Sequence, residues 1–111
     1  MGMGHIKSAY ALWGELPDRQ FRMFIYMAMR LPDEIDDPIW FGTQEELAVA
    51  IGKSPEEVKE RPATVKREVR RMLKSLVDYG ALSLERAEAP GRRAEYRLCT
   101  SMERWRDFRH R

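Results

Sequence analysis

Between residues 18 and 31 the chain reads "DRQFRMFIYMAMRL", and helical spacing puts Phe21, Phe24, Ile25 and Ala28 on one stripe with Pro32 placed to stop the helix. Met23, Tyr26 and Met27 fall on the opposite side. A helix apolar nearly all round needs cover on two sides, so either another part of the chain or a second copy is expected to close over that face. A second helix is predicted in "TQEELAVAIG". Thr43 is its N-cap, Glu46 three residues on completes a reciprocal capping pair, Leu47, Ala48 and Ile51 form its buried stripe, and Gly52 supplies the left-handed exit.

The longest periodic segment is 64–79, with Thr64 as its expected cap and Gly80 at its end. At 100° per residue Val65, Val69, Met72, Leu73 and Leu76 share one face, whereas Arg67, Arg71, Lys74 and Asp78 lie nearly opposite, with Lys66 and Arg70 on the flank. Alternation takes over elsewhere. In "PIWFG", Ile39 and Phe41 oppose Trp40, which suits a short strand. Leu82 and Leu84 alternate with Ser83 and Glu85, a turn forms at Pro90 and Gly91, and Tyr96 and Leu98 alternate with Glu95 and Arg97. This predicts a hairpin with Arg92 and Arg93 near its tip.

The tail "TSMERWRDFRHR" begins with a second capping pair, Thr100 and Glu103, and spaces Met102, Trp105 and Phe108 three apart. So short a helix is marginal alone, and the face of Met23, Tyr26 and Met27 is its expected dock. The remaining segments read as connections: 1–16 as an N-terminal extension, "DEIDDP" at 33–38 as a solvated acidic turn, and 53–63 as a polar connector. Within that connector Pro55 and Pro62 interrupt a continuous helix, leaving room for a single turn at "PEEVKE". The expected organisation is therefore an extension over 1–16, a domain over 17–99 and a docking tail over 100–111.

Composition bounds the setting. The 111 residues suit one domain with a modest core, and one cysteine, Cys99, excludes an internal disulfide, as a reducing cytoplasmic location would favour. The longest apolar run, "MFIYMAM", is too short to span a bilayer, and "MGMGHIK" lacks the apolar stretch of a signal peptide. No membrane partner is expected. Net charge is only +2, yet it is unevenly placed: residues 1–60 hold 6 basic and 11 acidic side chains, residues 61–111 hold 14 and 7. The basic excess gathers on the helix 64–79, where pairs 66/70, 67/71, 70/74, 67/70 and 71/74 are helix neighbours of like charge. Each pair costs roughly 0.2–0.5 kcal/mol, so the ridge works against its own helix by about 1–2 kcal/mol before salt screening.

The order helix, strand, helix, connector, basic helix, hairpin resembles a winged helix-turn-helix domain: an α+β, mostly α fold with a three-helix core, a short strand and a two-stranded wing, here followed by a C-terminal amphipathic helix. The resemblance covers about residues 17–99, carried by "TQEELAVAIG", by "TVKREVRRMLKSLVDYGAL" as the recognition helix running into the wing, and by "EYRL" closing the wing. More narrowly, "LPDRQFRMFIYMAM", "FGTQEELAVAIG", "LVDYGAL" and "GRRAEYRL" are similar to helix-turn-helix proteins of actinobacterial phages and plasmids, replication initiators among them. The resemblance implies that the third helix enters the major groove and the hairpin lies against the backbone. The connector from Gly52 to Thr64 is longer than the tight turn of the simplest such motif.

The residues point the same way. Phosphates relieve the repulsion of Lys66, Arg67, Arg70, Arg71 and Lys74, and counterion release drives binding. Arginine offers a two-pronged donor suited to the O6/N7 edge of guanine, which makes Arg67, Arg70 and Arg71 the expected base readers and Lys66 and Lys74 the expected backbone contacts, with Arg92 and Arg93 reaching an adjacent groove or phosphates and Thr64 at the helix start. Double-stranded DNA is the expected partner, bound by a transcriptional regulator or a replication initiator or accessory factor. If two copies pair through the Met-rich face, the site is an inverted repeat with half-sites about one helical turn apart.

The competing expectation is a protein-interaction adaptor on the same scaffold, using the two-sided first helix and the aromatic tail. Catalysis has little to stand on, so no enzyme, cofactor or small-molecule substrate is expected. His5 and His110 lie near the ends, Cys99 reads as a packing residue, and there is neither a zinc-ligand set nor a glycine-rich phosphate loop. Trp13, Trp40 and Trp105 read as core or interface rather than as base-stacking platforms.

Overall fold

The computed structural model describes residues 3–109. In chain order the elements are α1 (Met3–Trp13), α2 (Asp18–Met29), β1 (Ile39–Trp40), α3 (Gln44–Ala50), α4 (Pro55–Glu60), α5 (Pro62–Tyr79), β2 (Leu82–Arg86), β3 (Glu95–Leu98) and α6 (Met102–Arg109). The architecture is α+β and mostly helical, with one three-stranded antiparallel sheet in the order β1-β3-β2.

The first correction concerns residues 1–16. Over the described part, residues 3–16 are not an appendage: α1 puts Ala9, Leu12 and Trp13, with Leu16 just beyond it, into the core. Its rings meet α2, Tyr10 against Phe21 edge-on at 5.1 Å and Trp13 against Phe24 at 6.3 Å. The cap for α1 comes from a distant residue, since Asp33 Oδ1 accepts the His5 backbone N–H at 3.2 Å. Partial burial pushes the Asp33 carboxyl up, but the backbone N–H groups of Gly4 and His5 and the nearby His5 ring outweigh it and hold the carboxyl below its ordinary range. The His5 ring is buried and donates from Nε2 to the Pro32 carbonyl at 2.7 Å, which makes it a structural residue. His110 lies outside the described residues.

Helix α2 is wrapped as its sequence demands, but by different partners from those expected. Met23, Phe24, Met27 and Ala28 are fully buried. Packing of α1 covers the Phe21 and Phe24 side. The other side is tied to α5 by Gln20 Nε2 donating to Ser75 Oγ at 3.1 Å and by Arg19 facing Glu68 at 3.9 Å, and to α3 by Arg30 and Glu46 at 3.4 Å. Tyr26 rests edge-on against Trp40 at 6.2 Å. The cover is thus internal, and neither the tail nor a second copy occupies the place of Met23 and Met27.

The tail docks elsewhere. Helix α6 sits over the end of α5, where the Phe108 ring fills the space that a Cβ on Gly80 would take. Gly80 has φ +90°, the conformation that closes α5 as the Ala81 N–H reaches back to the Leu76 carbonyl at 3.0 Å. Arg104 donates to Ser83 Oγ at 2.6 Å and Arg109 reaches Glu15 at 3.4 Å, so β2 and the α1–α2 turn complete the dock. Met102 is exposed, and Trp105 is half-buried beneath the Arg109 guanidinium at 4.6 Å.

Ser101, rather than Thr100, caps α6, accepting from the Arg104 N–H at 3.3 Å. Thr100 Oγ1 instead accepts the Asp37 N–H at 2.9 Å, and Asp37 answers with Oδ1 to the N–H groups of Thr100 (2.8 Å) and Ser101 (3.1 Å) and Oδ2 to the Ser101 hydroxyl (2.9 Å). One residue of the acidic connector is therefore a clamp between the entry to β1 and the exit from β3. Asp37 takes φ +50° to do so. Trp13 Nε1 donates to the Cys99 carbonyl at 2.9 Å beside it. Burial, with the nearby Asp37 charge, pushes the Cys99 thiol up to about 12, against a smaller opposing pull from Arg104, so it stays protonated at neutral pH and acts as a packing group.

Candidate nucleic-acid interface

Helix α5 carries the charged face, and its underside fixes how that face is presented. Val65, Val69, Met72, Leu73 and Leu76 are all buried, as the 3.6-residue period requires. The start differs from expectation. The helix begins at Pro62, whose fixed φ and missing N–H suit a first position, with Arg61 at the cap and no side-chain cap bond. Thr64 is therefore an exposed residue of the first turn rather than a cap. The preceding connector forms α4, capped by Ser54 Oγ accepting from the Glu57 N–H at 3.1 Å.

Lys66, Arg67, Arg70, Arg71 and Lys74 are all exposed. Among the described residues Lys66, Arg67, Arg71 and Lys74 enter no ion pair, and Arg70 meets one carboxylate, Glu88, at 3.1 Å. That pair is half-exposed on both sides, a geometry worth at most about 1 kcal/mol. Of the two acids of α5, Asp78 lies exposed among the cations, four residues after Lys74, and Glu68 leans to the other side of the helix. It turns away to Lys53 at 2.6 Å and Arg19 at 3.9 Å, and the Lys53 hydrogen bond, opposed by partial burial and aided by the charges of Lys53, Arg19 and Arg71, holds its carboxyl below the ordinary range. The structure thus draws Glu68 toward Lys53 and Arg19, with the Arg71 charge still acting on it, and leaves Asp78 at the C-terminal end of the ridge.

The hairpin stands beside α5. Leu82 pairs with Leu98 and Leu84 with Tyr96, then the register slips between Leu84 and Arg86, which bends the outer part of the hairpin. At the tip Ala89 and Arg92 bridge, and Arg92 donates from Nη2 to the Ala87 carbonyl at 3.0 Å, turning that guanidinium back along the loop. Arg93 is exposed. The Arg70–Glu88 pair is the direct link from tip to ridge, and Tyr96 lies near it, its hydroxyl pushed up by burial and the Glu88 charge against the pull of Arg70.

Of the expected site residues, the structure brings the five ridge cations onto one exposed face with Arg93 nearby. It leaves Arg92 engaged with its own loop and assigns Met23, Met27, Tyr26, Trp105 and Phe108 to packing. Sequence reading missed Glu88 and Lys53, because their partners lie 18 and 15 positions away and helical or strand periodicity carries no trace of such pairs. Among the described residues no group of three or more His, Cys, Asp or Glu side chains is placed to hold a metal, and no helix is long and apolar enough to cross a membrane. Comparison with protein-family models, with curated proteins and with solved structures finds no match for this chain.

Proposed function

We propose that this protein binds duplex DNA through α5, as a winged helix-turn-helix domain in which α2, α3 and α5 form the helical core and β2–β3 the wing. The observation that carries the reading is the row of five exposed cations on α5, four of them without an ion pair among the described residues, with Glu68 diverted to Lys53. A surface kept only for solubility intersperses acids evenly with its bases, whereas here five cations share their face with one acid of the helix, Asp78, at its C-terminal end. Arg67, Arg70 and Arg71 are the base-reading candidates, Lys66, Lys74 and Arg93 the phosphate contacts, and the biological role is that of a phage- or plasmid-type regulator or replication initiator. The adaptor alternative drew on a sticky α2 and an aromatic tail. With Met23 and Met27 buried and Phe108 packed at Gly80, that surface is largely used internally. For the same reason one copy per half-site, without pairing through α2, is the expected footprint.

The test is fluorescence anisotropy with a labelled random duplex at low salt. Replacing Arg67, Arg70 and Arg71 together by Ala is expected to weaken binding about a hundredfold or more with the fold retained. Absence of binding by the unmodified chain, or equal binding by the triple variant, overturns the proposal. Selection of bound fragments from a random pool then gives the recognised sequence.

A further inference from the structure

A cleft of about 780 Å³ opens between the hairpin tip, the start of α3 and the first turns of α5. Its size falls within the range of small-molecule sites, which run from roughly 300 to 1,000 Å³. Trp40, Leu47, Val65 and Tyr96 give it an apolar floor, and Lys66 and Arg93 stand at its rim. Gln44 also lines it. Of the two acids at the rim, Glu88 is already engaged by Arg70, leaving Glu45 against Lys66, Arg92 and Arg93.

We infer that this cleft is a binding site for a small amphipathic organic anion: an aromatic or branched apolar body and one anionic group. The body lies on Trp40 and Tyr96, and the anion meets Lys66 and Arg93. Because two walls of the cleft are the hairpin and α5, and because Lys66 and Arg93 are also assigned to phosphate, an occupied cleft opposes DNA binding. That regulatory consequence rests on the reading above, whereas the site itself does not.

The probe is 8-anilinonaphthalene-1-sulfonate, which has an aromatic body and a sulfonate, titrated into the ¹⁵N-labelled full chain without DNA. Amide shifts are expected to saturate at one equivalent and to cluster in 42–47, 62–66 and 88–96. The uncharged N-phenyl-1-naphthylamine is expected to bind more weakly, and Lys66→Gln with Arg93→Gln to lower sulfonate affinity about tenfold. Ala94→Trp, which fills the cleft from the hairpin, is expected to abolish the clustered shifts while the rest of the spectrum shows the fold intact. Shifts scattered over the molecule or centred on the hollow near Leu12 and Phe108, equal binding of the neutral analogue, or an Ala94→Trp variant that binds as before overturns the site. A last arm adds saturating sulfonate to the protein–duplex complex: lowered duplex affinity supports the regulatory link, and unchanged affinity overturns that link alone. If the protein binds no duplex, the first arm still decides the site.

Discussion

Helices α2 and α5 are the two longest amphipathic or apolar elements of this chain, and they solve opposite problems. In α2 the apolar residues run nearly all round the helix, and the fold answers by packing α1 on one side and α3 and α5 on the other until Met23, Phe24, Met27 and Ala28 are fully buried. In α5 one face is equally buried, but the other holds five cations that repel one another in solvent. Everything about α2 is explained by the stability of the molecule itself. The outer face of α5 is not: its five cations meet one exposed ion pair, Arg70 with Glu88, and one acid of the same helix, Asp78, and that excess of positive charge is what a polyanionic partner would account for.

Substitutions that separate the two helices sharpen the contrast. Phe24→Ala leaves a cavity where a fully buried ring packs on Trp13, and is expected to lower unfolding free energy by about 3–5 kcal/mol in urea titrations, with duplex affinity unchanged wherever the protein remains folded. Gly80→Ala forces a side chain into positive φ and into the Phe108 ring, an expected loss of about 1–3 kcal/mol together with release of α6, visible as increased Trp105 exposure in fluorescence quenching.

Acid titration probes two carboxylates that anchor helices, Asp33 at the start of α1 and Glu68 on α5. The Asp33 and Glu68 carboxyls both lie below their ordinary values in the folded chain, so the unfolded chain takes up their protons first. Their contribution is complete above the ordinary carboxylate range and is lost as pH falls through the lowered folded values. Glu68→Gln is expected to flatten part of that acid limb and to cost about 1 kcal/mol at neutral pH, read from denaturation midpoints at a series of pH values.

The smallest effect on stability is the most discriminating. Arg67→Glu puts an acid in the first part of α5, four residues before Arg71 and three before Arg70. It removes two repulsive pairs and creates two attractive ones, which together with the helix dipole is expected to raise stability by about 0.5–1 kcal/mol. In the same variant duplex binding should collapse. A substitution that both stabilises and abolishes binding separates a functional face from a structural one, whereas loss of stability would mean that the cations serve the fold.

Much of this was legible along the chain because it is local. The five buried positions of α5, the Thr43 cap with its bond from the Glu46 N–H at 3.2 Å, the left-handed exit at Gly52 and the alternation of the hairpin follow from periods and turn chemistry. What escaped depends on partners far apart in sequence. Helix α1 begins under a cap supplied by Asp33, 28 residues beyond His5, and its stripe includes a buried histidine, so residues 3–13 did not announce themselves as core. The tail's three-residue spacing revealed an amphipathic helix but not its dock, which is set by the missing side chain at Gly80. At the candidate interface the cations were readable one by one. That Glu68 would be drawn off by Lys53, and that Glu88 would reach only Arg70, were properties of the assembled fold.

The central claim is that α5 exchanges counterions for phosphates, and the salt dependence of duplex affinity measures that exchange. With about five to seven phosphate contacts, the logarithm of the association constant should fall against the logarithm of salt with a slope of roughly −4 to −6, and neutralising Lys66 and Lys74 should make that slope shallower by about 2. A slope near zero, or one that the two substitutions leave untouched, would contradict the account.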